Sequence, residues 1–247
     1  MMVNAVKEIS YLRKYEIITG ISLLIMAIAA GFSYGFVYSS LVVPSDASTT
    51  FNNILSTNAL FKAGIFSWLI ILVCDIVVAW GLYIIFEPLH KRLAWLGAIL
   101  RLVYSSTLGI AIMNLIFVFI LTNEWDVLAT FNQEQLQAYV MILLKAFESI
   151  WAFGLIIFGG HLLVIGYLSF KANTIPKVIS ILLVIASIGY MLIHFCKVFL
   201  PQFKAVTNYL EVILSVPMAL GELGLGIWLI YMGLKVPKKR NLKSYLN

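Results

Sequence analysis

Between Ile71 and Ile110 the sequence is close to pure hydrocarbon, yet it holds two opposite charges, Asp75 and Arg101. They stand on either side of the polar turn Glu87-Pro88-Leu89-His90-Lys91-Arg92. A carboxylate and a guanidinium inside membrane-spanning sequence are costly unless they meet each other or another polar group. The two flanking stretches are therefore expected to form a helical hairpin in which Asp75 meets Arg101, with the other helices packed to hide the pair. The rest of the chain fits a membrane setting. Of its 247 residues 62% are hydrophobic and 11% charged, more apolar side chain than one soluble core of this size buries.

The expected fold is all-α: a polytopic, six-transmembrane-helix bundle forming a single domain over residues 1–247. The spans fall at about 17–42, 61–86, 93–121, 137–170, 177–200 and 209–234, followed by a basic cytoplasmic tail, 235–247. In the first span Gly31 and Gly35 are spaced as a GxxxG pair, one turn after Ala27, which predicts a small-residue face for a neighbouring helix. Ala27-Ile28-Ala29 resembles a signal-peptide cleavage site, but apolar sequence continues well past it, so the span is expected to be retained. In the loop after Val43, Pro44-Ser45-Asp46 reads as a helix start. Phe51, Ile54 and Leu55 then give a short apolar face, expected on the membrane surface.

Between Thr122 and Gln137 the loop is acidic, with Glu124, Asp126 and Glu134, while Trp125, Leu128 and Phe131 suit the interface. The fourth helix is longer than a bilayer requires, so its first turns should protrude or Gly159-Gly160 should bend it. Pro176 starts the fifth span. In the sixth, Pro217 releases the carbonyl of Ile213 and predicts a kink one turn before Glu222.

Orientation follows from the basic residues. The amino terminus, the turns at 87–92 and 171–177 and the carboxyl tail hold twelve Lys and Arg. The alternate side holds Lys62, Lys145, Lys197 and Lys204 among acids, so both termini are expected to be cytoplasmic. The net charge of +6 comes in short runs beside apolar segments, without the basic, aromatic face of a nucleic-acid site, so no nucleic-acid partner is expected. Membrane lipids are the expected partners, and the tail also suits anionic lipid. Cys74 and Cys196 fall within spans and read as small buried apolar residues.

At a rise of about 1.5 Å per residue, counted from the nearest basic turn, Asp75 lies about 18 Å deep, Arg101 about 14, His161 about 15 and Glu222 about 20 Å. Four ionisable groups from four helices thus share a layer near mid-bilayer. They are either a structural ion-pair network or the lining of a water-accessible site, in which Glu222 would compete with Asp75 for the guanidinium. Farther out, Asn114, Glu148, His194 and Lys197 come at about 33, 34, 26 and 30 Å, at the opposite interface, as snorkelling groups or the mouth of a path. With only His90, His161 and His194, no HExxH and no paired histidines, no metal or other cofactor is expected. GxSxG and phosphate-cradling loops are likewise missing. Gly159-Gly160 and Gly221-x-x-Gly224 read as close helix contacts.

Several of these residues carry a family likeness. Asp75, Leu100-Arg101-Leu102, the run Phe158-Gly159-Gly160-His161-Leu162-Leu163-Val164-Ile165-Gly166-Tyr167-Leu168, then Ile175-Pro176, Gly189-Tyr190 and Gly221-Glu222-Leu223 resemble the bacterial family called domain of unknown function 4386. The likeness runs from about residue 10 to 234, with a Phe-Gly-x-His pattern met by Phe158 to His161; the outer loops take no part in it. It implies six spans in a bacterial cytoplasmic membrane and no substrate or reaction. The expected function is a binding or translocation site for a small molecule, ion or proton built on Asp75, Arg101, His161 and Glu222. The alternatives are a structural, stress or immunity-type membrane protein that uses the cluster as packing glue, and an intramembrane enzyme acting on lipid or peptide.

Overall fold

The computed structural model describes residues 2–123 and 131–235, with side chains from Ser10 onward. Glu124, Trp125, Asp126 and Leu128, and the tail beyond Lys235, lie outside the described residues. No strand occurs among the described residues, and long apolar helices account for most of them. Helix α1 (Met2–Ala30) continues through a π-helical stretch (Gly31–Tyr38) and a last turn, Ser39–Leu41. A short α2 (Ala47–Ser56) precedes α3 (Asn58–Leu121), and α4 (Gln133–Lys171), α5 (Lys177–Phe199) and α6 (Lys204–Leu234) complete the chain.

Helix α3 is two helical arms joined at the polar turn, where His90 takes an extended backbone (φ −159°, ψ 88°) and its Nδ1 accepts from the N–H of Leu93. The hairpin read from Asp75 and Arg101 is thus present, and among the described residues five helices are long and apolar enough to cross a membrane, the 64-residue α3 being folded into two arms. In the turn, Lys91 donates to Glu87 at 2.8 Å, which holds the Glu87 carboxyl below the usual range.

Neighbouring helices close a ring: α1 against α3, α3 against α4, α4 against α5, α5 against α6, and α6 back against α1. Small residues set the tight seams. A Cβ on Gly20 would lie 2.5 Å from the carbonyl oxygen of Gly226, and one on Gly233 2.8 Å from that of Arg13, so α1 and α6 touch backbone to backbone at the end bearing the basic turn. The GxxxG pair does not serve this purpose: both glycines are exposed, and a Cβ on Gly31 or Gly35 would meet nothing within 4 Å. The spacing marks a small-residue face, but no neighbouring helix reaches it among the described residues. Gly159 and Gly221 do mark close contacts, with Met191 of α5 and the backbone of Leu182, whereas Gly160 and Gly224 make ordinary ones.

Helix α4 runs unbroken through Gly159-Gly160, its start fixed by a capping box between Asn132 and Gln135. At 39 residues it is about 58 Å long, so its first turns overhang a bilayer, and α2 packs beside it. The apolar face of α2 is not laid on lipid. Phe51 and Ile54 are fully buried in the bundle end. Asp46 caps α2 through the N–H and hydroxyl of Thr49, and those hydrogen bonds hold its carboxyl below the usual range. Pro217 sits inside a continuous α6, and both cysteines are free and half-buried rather than sealed in the core.

Candidate functional site

Within the hairpin, Arg101 Nη2 lies 2.7 Å from Asp75 Oδ1, and both residues are at most 1% exposed. The other terminal nitrogen, Nη1, reaches His161 Nε2 at 3.1 Å. A guanidinium can only donate, so Nε2 is the acceptor; Nδ1 then carries the proton and donates to the carbonyl of Gly97 at 2.8 Å. The imidazole is therefore neutral, and the trio balances one positive against one negative charge. Its lid is apolar: the guanidinium carbon stands 5.2 Å from the centroid of the Phe158 ring, and Nη2 lies 3.7 Å from Met26 Sδ. Arg101 Nε and both Asp75 carboxylate oxygens make no well-angled hydrogen bond among the described residues, so Asp75 and Arg101 meet as an ion pair rather than through a directed hydrogen bond.

Glu222 stands apart from this trio. Its Oε1 accepts from the Tyr190 hydroxyl at 2.8 Å, and no ion pair reaches it among the described residues, so the expected competition for Arg101 does not occur. Depth along a helix places residues in one layer, but the rotation of α6 turns Glu222 toward Tyr190 of α5. Tyr190 went unread in the sequence because a tyrosine in an apolar span gives no charge signal; it does stand beside Gly189 in the quoted motif.

What Glu222 faces is a partly open cavity of about 480 Å³. Leu23, Met26, Ala27, Ala30 and Tyr34 of α1 line one flank, and Ser215, Met218, Ala219 and Leu223 of α6 the other. Trp68 and Ile71, Tyr104, and Trp151, Leu155 and Phe158 form the back wall, with Tyr190, Ile193 and His194 from α5. At the end of the bundle that carries α2, Lys197 pairs with Glu211 at 2.7 Å, half-exposed, and both line the cavity. Eleven residues of helix separate Glu211 from Glu222, so the two carboxylates are about 16 Å apart along the axis.

The opening has a physical origin. Gly20 and Gly226 clamp α1 to α6 near the basic end, but toward α2 the outer part of α6 keeps a single stripe, Thr207, Leu210, Leu214 and Met218, toward the bundle. Tyr209, Val212, Ile213 and Val216 are 62–73% exposed. Tyr34, in the π-helical stretch, packs edge-on against Trp151 with ring centroids 5.0 Å apart. The Asp75, Arg101 and His161 side chains lie behind Met26, Phe158 and Tyr104 and take no part in the lining.

The outer group divides. His194 is 8% exposed, stacks on Tyr190 and leaves Nδ1 without a partner among the described residues. His194 and Lys197 thus join the cavity. Asn114 donates back to the carbonyls of Ile110 and Ala111 on its own helix, and Glu148 is half-buried outside the lining. No group of three His, Cys, Asp or Glu that could hold a metal exists among the described residues.

Comparison with known proteins adds a family without an activity. The family described as "Domain of unknown function (DUF4386)" matches residues 18–233. An uncharacterized protein of Archaeoglobus fulgidus is 29% identical over 123 residues, a match spanning 50% of this chain and 60% of that relative. No solved structure matches.

Proposed function

Because the chain belongs to the DUF4386 family, whose description carries no activity, we propose from geometry that it is an integral membrane protein that binds, and in binding can carry, a small molecule in the cavity between α1 and α6. The observation that supports this is an acidic side chain, Glu222, facing a cavity of about 480 Å³ with, among the described residues, only the Tyr190 hydroxyl as side-chain partner. Ligand pockets of roughly 300–1,000 Å³ with apolar walls and a few convergent polar groups are the usual form of a small-molecule site. On this reading the chain is one membrane domain in a bacterial cytoplasmic membrane with both termini cytoplasmic, so the Lys197–Glu211 mouth faces away from the cytoplasm. The sealing of Asp75, Arg101 and His161 favours a second role for that trio, as the internal glue that fixes the register of the hairpin against α4.

Calorimetric titration of the protein in lipid nanodiscs with a panel of small amphipathic compounds tests the proposal. Saturable binding to the wild type, abolished by the space-filling Ala219→Trp, is expected. Binding that survives Ala219→Trp, or none across the panel, overturns it.

A further inference from the structure

We infer that the ligand of this cavity is an organic cation, an ammonium group carried on an aromatic or apolar body; this rests on the pocket reading above and narrows it to one chemical class. The charges in contact with the cavity do not balance. Lys197 and Glu211 neutralise each other at the mouth, and Arg101 is 1% exposed, already matched by Asp75 and screened by Phe158 and Met26. Glu222 remains, an ionisable group with the Tyr190 hydroxyl on one oxygen and no ion pair among the described residues, so a bound cation is what would hold it as a carboxylate. An anion placed there would meet a carboxylate in a setting of low dielectric, where like charges repel strongly.

The walls select further. Tyr34, Trp68, Tyr104, Trp151 and Phe158 line the same cavity as Glu222, and aromatic rings attract ammonium groups through their electron-rich faces. A bare inorganic ion is a poor occupant, because it needs several oxygen or nitrogen ligands at once and the described residues offer no cluster of three His, Cys, Asp or Glu. An ammonium bearing methyl groups needs one counter-charge and aromatic surface, and this cavity is lined by Glu222 and by aromatic side chains. His194, 8% exposed and with Nδ1 unpartnered, gives the occupant a second polar contact between Glu222 and the mouth.

The experiment compares two probes that differ by one atom: phenyltrimethylammonium and its neutral carbon isostere tert-butylbenzene, each titrated into the full-length protein in nanodiscs. The wild type is expected to prefer the cation by about tenfold or more, the size of a desolvated cation–π contact combined with a counter-charge. Glu222→Gln should bring the ratio close to one while still binding the isostere, which shows that the variant is folded, and Glu222→Asp should retain the preference. Equal binding of both probes by the wild type, each lost in Ala219→Trp, overturns the cation assignment and leaves the pocket standing. A preference that persists in Glu222→Gln also overturns it. Failure of both probes to bind the wild type overturns the assignment together with the pocket reading.

Discussion

Arg101 directs its two terminal nitrogens to partners on different helical segments, Asp75 in the other arm of the hairpin and His161 in α4, and that geometry sets what its loss would do. Replacing Arg101 with Met leaves the Asp75 carboxylate buried and unmatched, and replacing Asp75 with Leu leaves the guanidinium so. Each single change is expected to destabilise by about 3–5 kcal/mol, and the double replacement by clearly less than the sum, measured by denaturation in micelles. A double variant as costly as the two singles together would remove the pairing as the reason for the burial. The pair was legible in sequence because two opposite charges in hydrocarbon leave few other solutions. His161 was legible by depth alone. The same count places Glu222 at the depth of Arg101 as a competitor of Asp75 but does not point to Tyr190, because rise along an axis carries no information on rotation about it.

The helices show the same division between what spacing can and cannot say. Gly20 and Gly31 lie on one helix, yet only Gly20 meets another backbone. Gly20→Leu is therefore expected to cost about 1–3 kcal/mol by overpacking the seam with α6, whereas Gly31→Ala, which adds a methyl in open space on a helix, should cost nothing and stabilise by up to about 1 kcal/mol. Spacing names a small-residue face without saying whether a neighbour reaches it, and both Gly31 and Gly35 are exposed.

The short helix α2 was legible from its cap, which makes a pH prediction. Hydrogen bonds from Thr49 lower the folded value of the Asp46 carboxyl, so its contribution is complete above the ordinary carboxylate range and disappears as pH falls through the folded value. Amide exchange across 47–56, referenced to Asp46→Ala at each pH, should show a protection difference near neutrality that vanishes in strong acid. A difference independent of pH would remove the capping carboxylate as its source.

At the scale of the whole molecule, the long apolar segments spaced along the chain make the all-helical assembly legible in sequence, whereas the cavity emerges only from how unevenly the ring closes. Cysteines placed at Ser48 and at Leu89, in a background without Cys74 and Cys196, should react with impermeant maleimide from opposite sides of the membrane, Ser48 from outside the cell; the reverse labelling would invert the proposed orientation. The uneven closure also affects how occupancy must be measured. On the membrane reading proposed above, an amphiphile that enters through the α1–α6 gap, rather than through the Lys197–Glu211 mouth, reaches Glu222 from the bilayer without first returning to water. Its governing concentration is then moles of ligand per mole of lipid. Doubling the lipid at fixed total ligand should weaken apparent binding of a strongly partitioning compound, although nothing in the protein has changed.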